Sequence, residues 1–82
     1  MTNYPERAIA IQRLDAYLVG QRGYKRGRVM QRLCRPYLHI CKDTYHRILR
    51  QTIASYNAEL AEELYQRALV DAARVLRRCD LK

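Results

Sequence analysis

The sequence predicts an all-α domain: a small bundle of three or four helices that contains a helix-turn-helix and ends in a long C-terminal helix. Three observations predict it. Apolar residues recur at helical spacing in successive stretches of the chain. Val, Ile and Thr nowhere alternate with polar residues over the length of a strand. The chain has 82 residues, 49% of them hydrophobic, which is enough for one domain, 1–82, and too little for a doubly wound sheet or a barrel around a catalytic cleft.

The first helix is expected over Pro5 to Val19. Pro5 suits a first helical turn, with Thr2 or Asn3 upstream as caps. Ala10, Ile11, Leu14, Tyr17 and Leu18 form its apolar stripe. Gly20 and Gly23 should end it, and Gly20 to Gly27 reads as a flexible basic connector. A second helix starts near Arg26 to Arg28, buries Val29, Leu33 and Met30, and stops at Pro36, because the residue before a proline avoids the α region. Tyr37, Leu38 and Ile40 then cross the core. The third helix begins around Cys41 to Asp43, with Asp43 favourable at the positive end of its dipole. Tyr45, Ile48, Leu49, Thr52 and Ile53 make its buried stripe. Asn57 is a plausible N-cap for the C-terminal helix, about 57–79, whose apolar face runs from Leu60 to Cys79. No Gly or Pro lies between Cys41 and Lys82, so the last two helices could also be continuous.

Charge is distributed unevenly. Lys and Arg number 16 against 8 Asp and Glu, a net charge of +8. Residues 1–20 and 52–82 each balance. Residues 21–51 hold nine cations against Asp43 alone, so the entire excess sits there. Like charges at this density oppose folding, and a polyanion that accepts them relieves the repulsion while releasing counterions. The alternative is a solvated, solubilising face, although solubility is usually served by mixed charges spread over a surface. Seven of the nine cations are arginine, the side chain suited to bidentate phosphate and guanine contacts.

Placed on the elements, this charge block coincides with the helix-turn-helix at about 26–53. The third helix turns Thr44, His46, Arg47, Arg50 and Gln51 outward, with Lys42 at its start. In a helix-turn-helix the second helix lies in the major groove. Arginine reads guanine, glutamine reads adenine, and threonine can touch a base or a phosphate. Lys25, Arg26, Arg28, Arg32 and Arg35 would hold flanking phosphates, fixing register without reading sequence. Tyr24, Tyr37 and Tyr45 interleave with these cations. They could stack on unpaired bases, or pack in the core as their places on apolar stripes imply.

The stretch Ile40-Cys41-Lys42-Asp43-Thr44-Tyr45-His46-Arg47-Ile48-Leu49 resembles recognition helices of small bacterial and phage helix-turn-helix proteins, including those of transposons and their transposases. Their loose pattern is an apolar residue, Ser, two variable residues, Thr, an aromatic residue, then Arg and an aliphatic pair. Here Cys41 stands where Ser usually caps. Val29 to Pro36 looks like the positioning helix, and the likeness covers residues 26–53. The resemblance implies double-stranded DNA binding in transcription control or mobile-element function.

Other classes fit less well. Cys34, His39, Cys41, His46 and Cys79 lack the C-x2-C knuckle of zinc modules, so no metal and no cofactor are expected. No nucleotide loop, Ser-His-Asp order or H-E-x-x-H pattern occurs, so neither an enzyme nor a small-molecule substrate is expected. No apolar run is long enough to span a membrane, and no export signal opens the chain, which makes the cytoplasm the expected compartment. Three cysteines at irregular spacing agree with reduced thiols. The apolar face of the C-terminal helix, at Leu60, Leu64, Leu69, Val75 and Leu76, is expected to form a homodimer, which would stabilise a small core. The main rival is a basic helical module that docks an acidic protein, as a phage-type antagonist or adaptor would.

Overall fold

The computed structural model describes residues 3–81. It is an all-α bundle of four helices. α1 spans Tyr4–Asp15, α2 Arg26–Leu33, α3 Lys42–Arg50 and α4 Ala58–Val75. α1 continues into a wider, π-type winding over Ala16–Gln21, and α2 does the same over Cys34–Leu38. A short 3-10 turn, Arg78–Asp80, follows α4.

Pro5 lies in the first turn of α1, as its fixed φ favours. Thr2 lies outside the described residues, and the Asn3 side chain makes no capping bond. The Asn3 carbonyl instead accepts the Arg7 N–H at 2.9 Å. Gly20 does not stop the helix: it sits within the wide winding, and the chain turns at Gly23, whose φ of 81° is the left-handed region open to glycine. Gly27 lies inside α2, so the connector is shorter than the three glycines imply.

Pro36 likewise changes the winding rather than ending it. Proline offers no N–H to the carbonyl four residues back. The chain relaxes into the wider turn and stops at His39, which takes φ 58°. The His39 and Ile40 N–H groups both close on the Cys34 carbonyl.

α3 and α4 are separate. Gln51 to Asn57 is non-helical, without any Gly or Pro to break it. Both flanking ends are satisfied from α1. Gln12 Nε2 donates to the Ile48 and Gln51 carbonyls, each at 2.8 Å, and so caps the C-terminus of α3. The buried Glu6 carboxylate accepts the Asn57 N–H at 2.8 Å. Asn57 Oδ1 in turn accepts the Leu60 N–H at 3.2 Å, the cap expected from the sequence. Thr52 is therefore exposed rather than part of a helical stripe.

The core has two parts. Ala10, Leu14, Leu18, Val19, Val29 and Leu33 meet Tyr65 and Ala72 of α4. Ala8, Ile11, Met30 and Cys34 meet Tyr45 and Ile48 of α3. α1 belongs to both, so it is the central element on which the others pack. Arg13 links it to α4, with its guanidinium 4.1 Å above the Tyr65 ring and 3.1 Å from Glu62.

Leu64, Leu69, Val75 and Leu76 pack half-buried on the protomer's own core. The apolar face expected to dimerise is thus largely used within the chain. α4 also stops at Val75, short of the expected Cys79, which is exposed.

Asp80 and Leu81 form a clasp on Tyr24 and Lys25. The Lys25 N–H donates to the Asp80 carbonyl at 2.8 Å, and Tyr24 pairs with Leu81. The Asp80 side chain is 1% exposed. It accepts the Arg77 N–H at 2.9 Å and lies 3.5 Å from Arg32 Nε. The Arg77 N–H, together with the Arg32 charge, holds the Asp80 carboxyl below its ordinary value. A depressed carboxyl stabilises the fold above its unfolded pKa, and that stability is lost as pH falls through the folded value. Asp80→Asn is therefore expected to lower the thermal midpoint at neutral pH. Its difference from the wild type should close as pH drops below the ordinary Asp value of about 3.9, which thermal melts across a pH series would check.

Candidate nucleic-acid interface

Tyr45 and Ile48 fix the orientation of α3. Both are buried against α1 and α2, so the opposite side of the helix faces solvent. Asp43, His46, Arg47 and Arg50 follow at i, i+3, i+4 and i+7 and are all exposed. They form one stripe along the helix. With Gln51 they line a shallow open groove.

Two neighbouring grooves extend this surface. One lies between the end of α2 and the start of α3 and is lined by Gln31, Arg35, Lys42 and Asp43. The other lies between α1 and α3, where Gln12 and Arg26 meet His46, Arg50 and Gln51. Shared lining residues make the three continuous. Arg35, Lys42, His46, Arg47, Arg50 and Arg26 thus border a single tract, with Asp43 as its acid on α3.

Other expected residues stand elsewhere or are already engaged. Arg26 makes a bidentate pair with Asp15, both contacts at 3.0 Å, and Asp15 raises the Arg26 pKa further above its ordinary value. Arg32 turns to Asp80. Its Nε is buried with no hydrogen-bond partner, since the 3.5 Å ion pair falls short of hydrogen-bond geometry. Arg28 is exposed, donates to Gln31 at 3.0 Å, and lies within electrostatic reach of Asp80. Lys25 is exposed, with its backbone on the C-terminal clasp. Gln51 is half-buried and its Oε1 accepts the Tyr4 hydroxyl at 2.8 Å. Thr44 is half-buried and its hydroxyl lies 3.2 Å from Cys41 Sγ. Sequence reading did not show what three acids do in the fold. Asp15 and Asp80 hold arginines from elsewhere in the chain, and Asp43, read as a helix-start charge, also stands inside the exposed stripe.

Cys41 is the residue before α3, and the Asp43 and Thr44 N–H groups stand near its sulfur without forming a cap hydrogen bond to it. Its thiol is nevertheless exposed, and the Thr44 hydroxyl, with the Thr44 and Asp43 N–H groups, lowers its pKa. Burial raises that of Cys34. Alkylation by iodoacetamide followed by mass spectrometry should therefore label Cys41 well before Cys34. Among the described residues no group of three or more His, Cys, Asp or Glu lies together as a metal site would need. Among them, too, no helix is long and apolar enough to cross a membrane. No protein-family model, curated protein or solved structure matches the chain.

Proposed function

We propose that this protein binds double-stranded DNA sequence-specifically, with α2 and α3 as a helix-turn-helix and α3 in the major groove. The observation that carries the reading is the uncovered stripe His46, Arg47 and Arg50, bordered by Arg35 and Lys42 on one side and Arg26 on the other. Arg47 and Arg50 would read guanines, and His46 and Gln51 neighbouring bases. Arg35, Lys42, Lys25 and Arg28 would hold phosphates. Arg26 and Arg32 add positive potential while serving mainly as internal ties. Thr44 would steady the helix start. The resemblance of residues 26–53 to phage and bacterial helix-turn-helix proteins supports a role in transcription control or mobile-element function, in the cytoplasm.

Duplex affinity measured against salt tests this. Binding with a steep log–log fall in affinity is expected, as several released counterions require. No duplex binding, or a flat slope, would overturn the reading in favour of an acidic protein partner. Duplex should also slow alkylation of Cys41, because the start of α3 would then lie at the groove.

A homodimer would set two α3 helices about 34 Å apart, one DNA turn. Against it, Leu64, Leu69, Val75 and Leu76 pack internally, Leu60 is half-buried and Val70 is the large apolar residue α4 exposes. A monomeric mass in solution would remove it and leave DNA binding standing.

A further inference from the structure

Asp43 is the acid within the cationic stripe of α3. It is exposed, lines the same groove as His46, Arg47, Arg50 and Gln51, and borders the adjoining groove with Arg35 and Lys42. It sits in the first turn of α3, the part of a recognition helix that meets base edges. Among the described residues it forms no ion pair, although cations flank it on the same face. Facing a polyphosphate, an unpaired carboxylate weakens binding to every sequence alike. That penalty is offset only where a hydrogen-bond donor meets it. In the major groove, cytosine N4 presents such a donor; adenine N6 does too, but beside an N7 acceptor that suits an amide and repels a carboxylate, and the guanine edge offers acceptors alone.

We infer that Asp43 is a specificity-determining residue that accepts a hydrogen bond from cytosine N4 beside the guanine contacts of Arg47 and Arg50. The inference rests on the DNA-binding reading above and adds to it a rejection step. Arginine supplies attraction that any duplex shares in part, and Asp43 converts it into a difference between sequences. Asp43 also favours the helix start through the dipole. That local role predicts lower stability on replacement and no change of base preference.

The test enriches a randomised duplex pool on the full chain and on the Asp43→Ala and Asp43→Asn variants, with dichroism melts to confirm that each is folded. The wild type should enrich a motif holding one C·G pair adjacent to guanine. Asp43→Ala should flatten the preference at that pair by about 5- to 100-fold and leave the other positions intact. Its affinity for the unselected pool should rise. Asp43→Asn, which keeps the shape and a similar helix start, should move the preference at that pair toward adenine. Wild-type motifs returned at every position by both variants would overturn the inference alone. A loss centred on a pair other than C·G would do the same. A wild type that enriches no motif would overturn the sequence-specific reading and this inference together.

Discussion

Replacing Arg47 and Arg50 together by alanine is expected to weaken binding to an enriched duplex by about 2–5 kcal/mol, a loss of roughly 30-fold to several thousand-fold. Each bidentate guanine contact contributes about 1–3 kcal/mol of discrimination. The two residues are one helical turn apart, so their effects need not add. Both are exposed and neither takes part in an ion pair among the described residues. The melting transition should therefore stay within about 0.5 kcal/mol of wild type, and the loss can be read as binding. The informative comparison is with Arg35→Ala. If Arg35 holds a phosphate as proposed, that change should weaken all sequences alike and reduce the salt slope by about 1. Titrations of enriched and random duplex over a salt series would separate the two patterns. Equal losses on both duplexes for the Arg47/Arg50 double variant would remove base reading and leave only charge attraction.

What the sequence made legible is what periodicity and local chemistry encode. Tyr45, Ile48 and Leu49 repeat at helical spacing, so the buried side of α3, and with it the outward side carrying Arg47 and Arg50, follows from the sequence alone. Asn57 as the cap of α4 was legible because a cap acts on the N–H three residues on. What failed to show were partners distant in the chain. Arg26 and Asp15 are 11 residues apart, and Arg32 and Asp80 are 48 apart. Counting charges by segment treats those arginines as free when the fold engages them. The break between α3 and α4 was signalled by the Asn57 cap, with a continuous helix as the alternative, but its cause was hidden for the same reason. Its cause lies in Gln12 and Glu6 of α1, which bond the chain on either side of the break, and not in any breaker within residues 51–57. Glycine and proline misled in the opposite direction, since Gly20 and Pro36 are accommodated by wide helical turns that propensity does not anticipate.

Asp15→Ala is expected to destabilise the fold by about 2–4 kcal/mol, and to disturb the proposed interface with it. Asp15 ends α1 with its side chain 8% exposed. Its Oδ1 accepts the Tyr45 hydroxyl at 2.9 Å, and its two oxygens hold Arg26. One carboxylate thus joins α1, the start of α2 and the middle of α3. Without it, Arg26 can rehydrate, because its side chain is 46% exposed. Tyr45 cannot, because it is fully buried, so the larger part of the loss is the stranded hydroxyl. Tyr45→Phe should cost less, about 1 kcal/mol, since Asp15 keeps Arg26. If the hydroxyl is the main loss, Tyr45→Phe should recover stability when added to Asp15→Ala. Denaturant melts of the four proteins in this cycle would measure the coupling, and a double variant no more stable than Asp15→Ala would refute it. Alkali gives an independent check. Burial and the Asp15 charge push the Tyr45 hydroxyl far above its ordinary value. A group with a raised folded pKa lends stability that is complete below its unfolded pKa and is lost as pH rises past it. The wild type should accordingly weaken above about pH 10, and Tyr45→Phe should weaken less. Because Tyr45 sets the rotation of α3, the same alkaline range should disperse the His46, Arg47 and Arg50 stripe before the α1–α4 contacts give way, as chemical exchange at the α3 amides would reveal.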